Sequence, residues 1–542
     1  MGVQRVAAGE PLSLDHLGDT ETTSASGATL LQKTFSSESH QSQVFGEAML
    51  DRSEIYEEAL FENEVLQSDT ASLATADEDS PWAQKSILCL DGGGIRGYSS
   101  LLILQALMQE IERLERNASA AAHTSVDSPL IGPDHSQTEF SKLESKRKSN
   151  SEFLPCHYFD YIAGTSTGGL IAIMLGRLRM SAETCLDEYT SLSTELFGNP
   201  RHVGLKQLRG IFRTTSRSKS LASKLDQLQP GLPSPDEGVK KFESDSSRCR
   251  TIVCSMERSV NKDVITPFLF RSYGHPRKAE SPFERNPGFA ASYDISEVAQ
   301  ATIATSPQAK SIALGSHRYF DAGLGLNNPS LEIYNEIDLM HPQLYNPINV
   351  FLSLGCGYAR TEHDTLHAGS RAWKTRQSHN KLEKTLASIS DAVHEKMVKE
   401  SSNFHYYRLD VKDGLNLAKL GEKKPNESGR SALERIRHVT TLYLKERETQ
   451  DTIKRCAHEL VERRRQRSNT MRWESFALGI RYRCKHSDKC NAQNGKGESF
   501  HNRNELLDHL RIVHKMAPPD ANNYESIKSL IDKGRTKSGL ED

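Results

Sequence analysis

Three short stretches carry residues that could do chemistry together: Asp91-Gly92-Gly93-Gly94-Ile95-Arg96-Gly97, Gly164-Thr165-Ser166-Thr167-Gly168-Gly169, and Asp321-Ala322-Gly323. A serine hydroxyl is a weak nucleophile at neutral pH. It needs a base, a strained and exposed position, and donors for the oxyanion that its attack creates. Gly164 and Gly168, two residues before and after Ser166, allow the sharp strand-to-helix turn of a nucleophile elbow. Gly92, Gly93 and Gly94 leave backbone amides unscreened by side chains, so the loop can offer several donors to one oxygen. Asp321 is a carboxylate able to take the serine proton.

Other readings of the same residues stand beside this one. Gly92, Gly94 and Gly97 also satisfy the Gly-x-Gly-x-x-Gly spacing of a dinucleotide site. A phosphate loop would need a Lys-Ser/Thr ending that is missing, and Asp91 would repel a pyrophosphate. A Ser-His-Asp triad of the α/β-hydrolase order would need a histidine after the serine. His317 and His341 are available by order, but neither follows a recognisable late strand. Arg96 is a cation beside the loop that steadies it, meets a lipid phosphate, or forms a structural ion pair.

The order of the three stretches resembles that of the patatin-like phospholipases, serine acyl hydrolases whose pattern is Gly-x-Gly-x-x-Gly, Gly-x-Ser-x-Gly, then Asp-Gly-Gly or Asp-Gly-Ala. The resemblance spans roughly residues 84 to 360 and departs at Ala322, where the family usually has glycine. It implies a Ser166–Asp321 dyad that works without histidine, an oxyanion loop formed by Gly92, Gly93, Gly94, Arg96 and Gly97, and an acyl-enzyme released by water. Its substrates would be esters of phospholipid, lysophospholipid or triacylglycerol, met at a membrane or droplet surface. No dense carboxylate loop with calcium spacing occurs, so calcium-independent action without a catalytic cofactor is expected.

The elements that must position these residues follow from apolar periodicity. Gln84 to Leu90 reads as a buried strand entering the glycine loop, and Ser99 to Arg116 as a helix with Leu101, Leu104, Leu107 and Ile111 on one face. Phe159 to Ala163 is the strand before the serine, and Gly168 to Leu178 the helix after it. Thr251 to Ser255 and Ile265 to Phe270 read as strands, Ser296 to Ser306 as a helix, Leu331 to Met340 as a helix after the turn Asn327-Asn328-Pro329, and Val350 to Gly355 as a last strand. This alternation predicts an α/β layered core with a mostly parallel sheet.

The predicted organisation is a disordered acidic segment over 1–80, the catalytic domain over 84–360 with a surface insertion at 117–150, a helical region over 380–470 in which Ser431 to Arg467 reads as a helix whose basic end, Arg463-Arg464-Arg465, is solvated or meets anionic lipid, a zinc-finger-like unit over 480–516 and a flexible tail over 517–542. In the first 80 residues acidic side chains outnumber basic ones by 13, and large apolar residues are few. The 542 residues are 36% hydrophobic, which fits solvated segments beside an ordinary core, and the net charge of -2 excludes little. Nine cysteines at irregular intervals point away from a disulfide framework and toward a reducing compartment. A soluble protein is expected, cytoplasmic and peripheral on membranes, with a nuclear location as the alternative, because no run of 18 apolar residues occurs.

A second constellation lies near the end of the chain. Cys484 and Cys490, then Phe500, Leu506, His509 and His514, resemble a C2H2 zinc finger, in which two cysteines and two histidines hold a structural Zn2+ around a miniature core. The gaps between Cys484 and Cys490 and between Cys490 and His509 are longer than usual. A small amphipathic helix with incidental Cys and His is the plainer reading. Flanking arginines and lysines would suit nucleic acid, acidic lipid or a protein partner alike. A catalytically weak scaffold acting through this unit is therefore the alternative to a lipid acyl hydrolase.

Overall fold

The strand leading into the glycine loop lies at the middle of the sheet. In the computed structural model, β1 (Lys85–Leu90) pairs in parallel with β2 (Tyr161–Thr165) on one side and with β7 (Ile348–Leu354) on the other. Between them in the chain come α1 (Gly97–Ala121), α2 (Thr167–Ala172), α3 (Ala182–Phe197), β3 (Arg250–Ser259), β4 (Ile265–Arg271), α4 (Ile295–Ile303), β5 (Ile312–Leu314), β6 (His317–Phe320) and α5 (Ser330–Met340). The residues described are 80–121, 153–197, 241–245, 247–259, 265–275, 285–286, 293–304, 311–315, 317–357, 387–412, 415, 429–485, 499–516 and 524–537, all within one unit, Ala76–Asp542. Residues 1–79, 122–150 and most of the polar stretch before Arg248 lie outside them.

The eight-stranded sheet runs β5-β6-β3-β2-β1-β7-β8, where β8 is His405–Leu409. The central five strands, β3 to β8 in that order, are parallel, and β4, β5 and β6 join antiparallel at one side. β2 pairs with residues 250–254 of β3 and β6 with 256–259, while β4 pairs with 252–258. β4 overlaps both, so β6 takes over the edge that β2 leaves. That handover carries the residue after β6 toward the residue after β2.

Period-2 alternation divides the strands between two buried layers. Leu88, Leu90, Ile162, Val253 and Leu352 face one core, with α1 and its Leu101, Leu104 and Leu107. Ile87, Cys89, Ala163, Cys254 and Phe351 face the other, with Ile333 and Ile337 of α5 and Met397 from the helix over 387–400. The α/β core with its mostly parallel sheet is thus the predicted one. All eight cysteines described are buried, as small apolar residues.

Several elements differ from the sequence reading. α1 continues through Ala121, beyond the predicted start of the insertion. The sheet takes its last parallel strand, β8, from beyond residue 360, so the helical region is part of the same core. The predicted helix from Ser431 to Arg467 is two, α6 (Gly429–Tyr443) and α7 (Arg447–Ser468). Its basic end is not solvated: Arg464 and Arg467 are buried, Arg465 pairs with Glu115 of α1 at 3.0 Å, and Arg467 with Asp160 at 2.9 Å. Nor is the segment after 517 simply a tail. α9 (Tyr524–Gly534) leads into β11 (Arg535–Lys537), which pairs with β9 (Ile480–Arg483) in a small sheet completed by β10 (Ser499–Phe500), with α8 (Arg503–Ile512) beside it.

Directly beneath the glycine loop, Asp91 is fully enclosed and grips Arg408 of β8 through two hydrogen bonds, 2.9 and 2.6 Å; Arg408 also reaches Asp410 at 2.9 Å. Burial pushes the Asp91 carboxyl up to about 6 against the pull of Arg408, so both are charged at neutral pH. Removing one partner of a buried pair strands the other charge. Arg408→Met is expected to lower unfolding stability by ~3–5 kcal/mol in urea titration, whereas an exposed-pair control, Arg116→Met at the α1 surface, is expected to shift it by under ~1 kcal/mol.

Candidate active site

The serine turn is held by close approach of backbone to backbone. A Cβ on Gly168 would lie 2.4 Å from the carbonyl oxygen of Leu90 and 2.6 Å from that of Asp91, and a Cβ on Gly164 would lie 2.2 Å from the carbonyl oxygen of Gly168. Only glycine lets α2 start this close to the end of β1. Between them Ser166 takes φ 55° and ψ −123°, a conformation that side-chain-bearing residues rarely adopt. It is held there by Thr302 of α4, whose hydroxyl accepts from the Ser166 N–H at 2.8 Å and donates to the Cys254 carbonyl at 2.7 Å.

The constrained turn aims the hydroxyl at one carboxylate. Ser166 Oγ donates to Asp321 Oδ2 at 2.7 Å, across 155 residues of chain. Asp321 lies just past β6, with its N–H bonded to the Ala304 carbonyl at 2.5 Å, and the preceding Phe320 carbonyl accepts from Ser255 Oγ at 2.8 Å. Its other oxygen, Oδ1, accepts from the Gly323 N–H at 2.8 Å, which leaves Oδ2 free to meet the serine. Ala322 is the residue at which the third motif departs from the family pattern. It is fully buried, its methyl packing in the second core, and the turn still opens toward Gly323. Burial raises the Asp321 carboxyl to about 6 against the hydrogen bonds from Ser166 and Gly323.

The glycine loop abuts this pair. A Cβ on Gly92 would stand 3.2 Å from Ser166 Cβ, and one on Gly93 would collide with Cys356 Sγ at 2.0 Å. The Gly92 N–H is bonded to the Asn327 carbonyl at 2.9 Å and the Gly93 N–H to Thr167 Oγ1 at 3.3 Å. Tyr189 Oη donates to the Gly94 carbonyl at 2.6 Å, fixing the outer side of the loop. Within the loop, the N–H groups of Gly94 and Ile95 are the ones with no acceptor among the described residues. Gly97 opens α1 and packs against Tyr189, whose hydroxyl would be 2.6 Å from a Cβ there.

Arg96 is buried beside the loop. It is 2% exposed, and its Nε bonds back to the Gly93 carbonyl at 3.4 Å, so it braces the loop from within. Neither candidate histidine is near the serine. His341 bonds through Nε2 to the Tyr161 hydroxyl at 3.0 Å, at the start of β2, whereas Ser166 follows its end. His317, at the start of β6, pairs with Glu257. Sequence reasoning missed Arg408, Thr302 and Asn327, which secure the loop and the serine through contacts far along the chain.

In the C-terminal unit, Cys484, His509 and His514 come together. Their ligand atoms lie within 4.8 Å of one another, with Cys484 Sγ 3.3 Å from His514 Nε2. Phe500 and Leu506 are buried beside Tyr482 and Leu510, the predicted miniature core. Cys490 lies outside the described residues.

Residues 88–333 match the family model of patatin-like phospholipase. The chain is 26% identical over 275 residues to human calcium-independent phospholipase A2-gamma, an alignment covering 50% of this chain and 28% of that protein. The mouse protein of that name is 26% identical over 312 residues, covering 56% and 32%. Phospholipase A I of Arabidopsis thaliana is 21% identical over 376 residues, covering 61% and 25%. The chain thus spans a quarter to a third of the length of these relatives.

Because the turn depends on that close approach, Gly168→Ala is expected to cost more than ~3 kcal/mol, seen as a large fall in melting temperature or loss of soluble protein. Gly325→Ala, where an added Cβ meets nothing within 4 Å, is the matched control and should melt as the wild type does.

Proposed function

We propose that this chain, which carries a patatin-like phospholipase domain over residues 88–333, is a lipid acyl hydrolase in which Ser166 attacks and Asp321 is the base. The 2.7 Å bond between Ser166 Oγ and Asp321 Oδ2 carries the reading. As Oγ adds to the ester carbonyl, its proton passes to Asp321, and the carbonyl oxygen becomes an oxyanion. The Gly92 and Gly93 amides are engaged within the fold, so the open amides of Gly94 and Ile95 are the donors offered to that oxygen. The helix starting at Thr167 adds its own amides and dipole on the same side. Asp321 then returns the proton to the departing lysolipid or glycerol oxygen, leaving the fatty acyl group on Ser166. Water repeats the sequence in reverse and releases the fatty acid.

The substrate class rests on these relatives, whose names are those of phospholipases, two of them calcium-independent. A membrane or droplet surface is the setting such substrates require. Among the described residues no helix is long and apolar enough to cross a membrane, so the lipid would be met from its surface.

The dyad makes separable predictions on a phospholipid substrate. Ser166→Ala and Asp321→Asn should each lower kcat by ~10³-fold or more, while His341→Ala leaves turnover intact. The base form of a carboxylate with a pKa near 6 dominates only above that pH, so kcat/KM should climb between pH 5 and 7 and then level off. The stability effect runs the other way. The folded value of about 6 lies above the ordinary 3.8, so the folded state loses stability as pH rises from 3.8 to about 6, and Asp321→Asn should melt at or above the wild-type temperature at pH 7.5.

We also propose that Cys484, His509 and His514 hold a structural zinc ion. The donor set fits: ligands on a tetrahedral zinc, at ~2.3 Å for sulfur and ~2.0 Å for nitrogen, stand about 3.5 Å apart, close to the 3.3 Å between Cys484 Sγ and His514 Nε2. A thiolate and two neutral imidazoles would staple β9 to α8, and Cys490 is the candidate for the fourth position. Purified protein is expected to contain one equivalent of zinc, lost in Cys484→Ser, and chelation should make residues 480–516 protease-sensitive. Absence of zinc together with protease resistance in chelator would refute it.

A further inference from the structure

The amino ends of the central strands gather cations that the acyl-hydrolase chemistry does not use. Lys85 opens β1, Tyr161 opens β2 and Arg250 opens β3, and the register places Tyr161 beside Arg250. Arg467 and Arg472, from the end of α7 and the turn after it, both stand 4.7 Å from the Trp82 ring centroid. Arg250 lies 5.4 Å over Tyr161 and 4.9 Å over Tyr273, and its guanidinium bonds to the Tyr161 hydroxyl. That hydroxyl also meets His341.

Three guanidiniums and one amine therefore cluster among the Trp82, Tyr161 and Tyr273 rings, and among the described residues Asp160 is the carboxylate that acts on Lys85, Arg250 and Arg472. That carboxylate is already committed to Arg467 at 2.9 Å and to the Ser86 N–H at 2.7 Å. Lys85 bonds only to the Trp82 carbonyl. Among the described residues, Lys85, Arg250 and Arg472 form no ion pair, and Arg472 makes no hydrogen bond at all. All three are half-buried, so solvent reaches them. The crowding is felt by its members. Burial first, and then Lys85, Arg250 and Arg472, hold the His341 imidazole well below its ordinary pKa.

We propose that this cluster is an anion site for a phosphate group, bound by Arg472, Arg250 and Lys85. Guanidiniums are suited to phosphate because their planar N–H donors match its oxygens, and two here are already oriented by stacking on aromatic rings. The site is distinct from the catalytic dyad. Asp91 lies six residue steps along β1 from Lys85, about 20 Å at ~3.3 Å per residue, and Ser166 follows the opposite end of β2. The phosphate is therefore not that of the ester being cleaved in the proposed reaction, and the inference stands whether or not Ser166 is the nucleophile.

Free phosphate and a phosphomonoester lipid headgroup present the same chemistry, and two arms tell them apart. In the first, the full chain is titrated calorimetrically with inorganic phosphate at constant ionic strength, with chloride as control. In the second, it is sedimented with phosphatidylcholine vesicles that do or do not contain phosphatidic acid. Arg472→Gln, which removes no hydrogen bond from the fold, should weaken binding by ~10-fold or more, and Arg472→Lys should recover part of it. Circular dichroism checks that each variant is folded. Phosphate binding lost in Arg472→Gln assigns a free anion, and phosphatidic-acid-dependent sedimentation lost in the same variant assigns a headgroup. No binding in either arm, or binding that Arg472→Gln leaves unchanged, overturns the proposal.

Discussion

The structure depends on how closely the serine turn is pressed against the end of the central strand. With a Gly168 Cβ position 2.4 Å from the Leu90 carbonyl oxygen, there is no room for any other side chain. The approach fixes the start of α2 and forces Ser166 into its strained backbone conformation. Strain of this kind costs of order 1–3 kcal/mol and persists only where the surroundings over-determine it. Here they do so through Thr302, through the two cores on either face of the sheet, and through the Asp91–Arg408 pair below the loop. The geometry of Ser166 is thus a property of packing rather than of the motif alone.

The carboxylate is brought to the serine by a topological exchange. β2 ends at Thr165, and β6 takes up the edge of β3 that β2 vacates, so the residues that follow these strands face one another. No histidine lies between them, because Oδ2 of Asp321 already occupies the hydrogen-bonding position of the hydroxyl. An enclosed carboxylate with a raised pKa is a stronger base than a solvated one, and its ionisation costs stability. A protein that needs it ionised near neutrality keeps a compromise of the kind found at functional sites.

Much of this was legible in the sequence, for physical reasons. The buried parallel strands are nearly continuous apolar runs, which the pattern of Gln84 to Leu90 and Val350 to Gly355 announces. Glycine-rich turns between strand and helix announce themselves because few residues fit there. What could not be read is non-local. Nothing near Arg408 marks it as the partner of Asp91, 317 residues away, and nothing in Thr302 shows that its hydroxyl holds the serine amide. For Arg96 the sequence leaves bracing of the loop, a lipid phosphate and an ion pair open, because nothing nearby shows which way the side chain turns; the fold turns it inward to the Gly93 carbonyl. The arginine-rich end of α7 was misread as solvated for a similar reason: its charges are met by Glu115, Asp160 and backbone carbonyls from distant segments.

The most direct test of the account is to locate the nucleophile by covalent trapping. After reaction with a fluorophosphonate, peptide mass mapping should place a single adduct on Ser166. That adduct should be absent from Ser166→Ala, formed much more slowly in Asp321→Asn, and unchanged in His341→Ala. Labelling that persists in Ser166→Ala, or that depends on His341 but not on Asp321, would contradict the dyad.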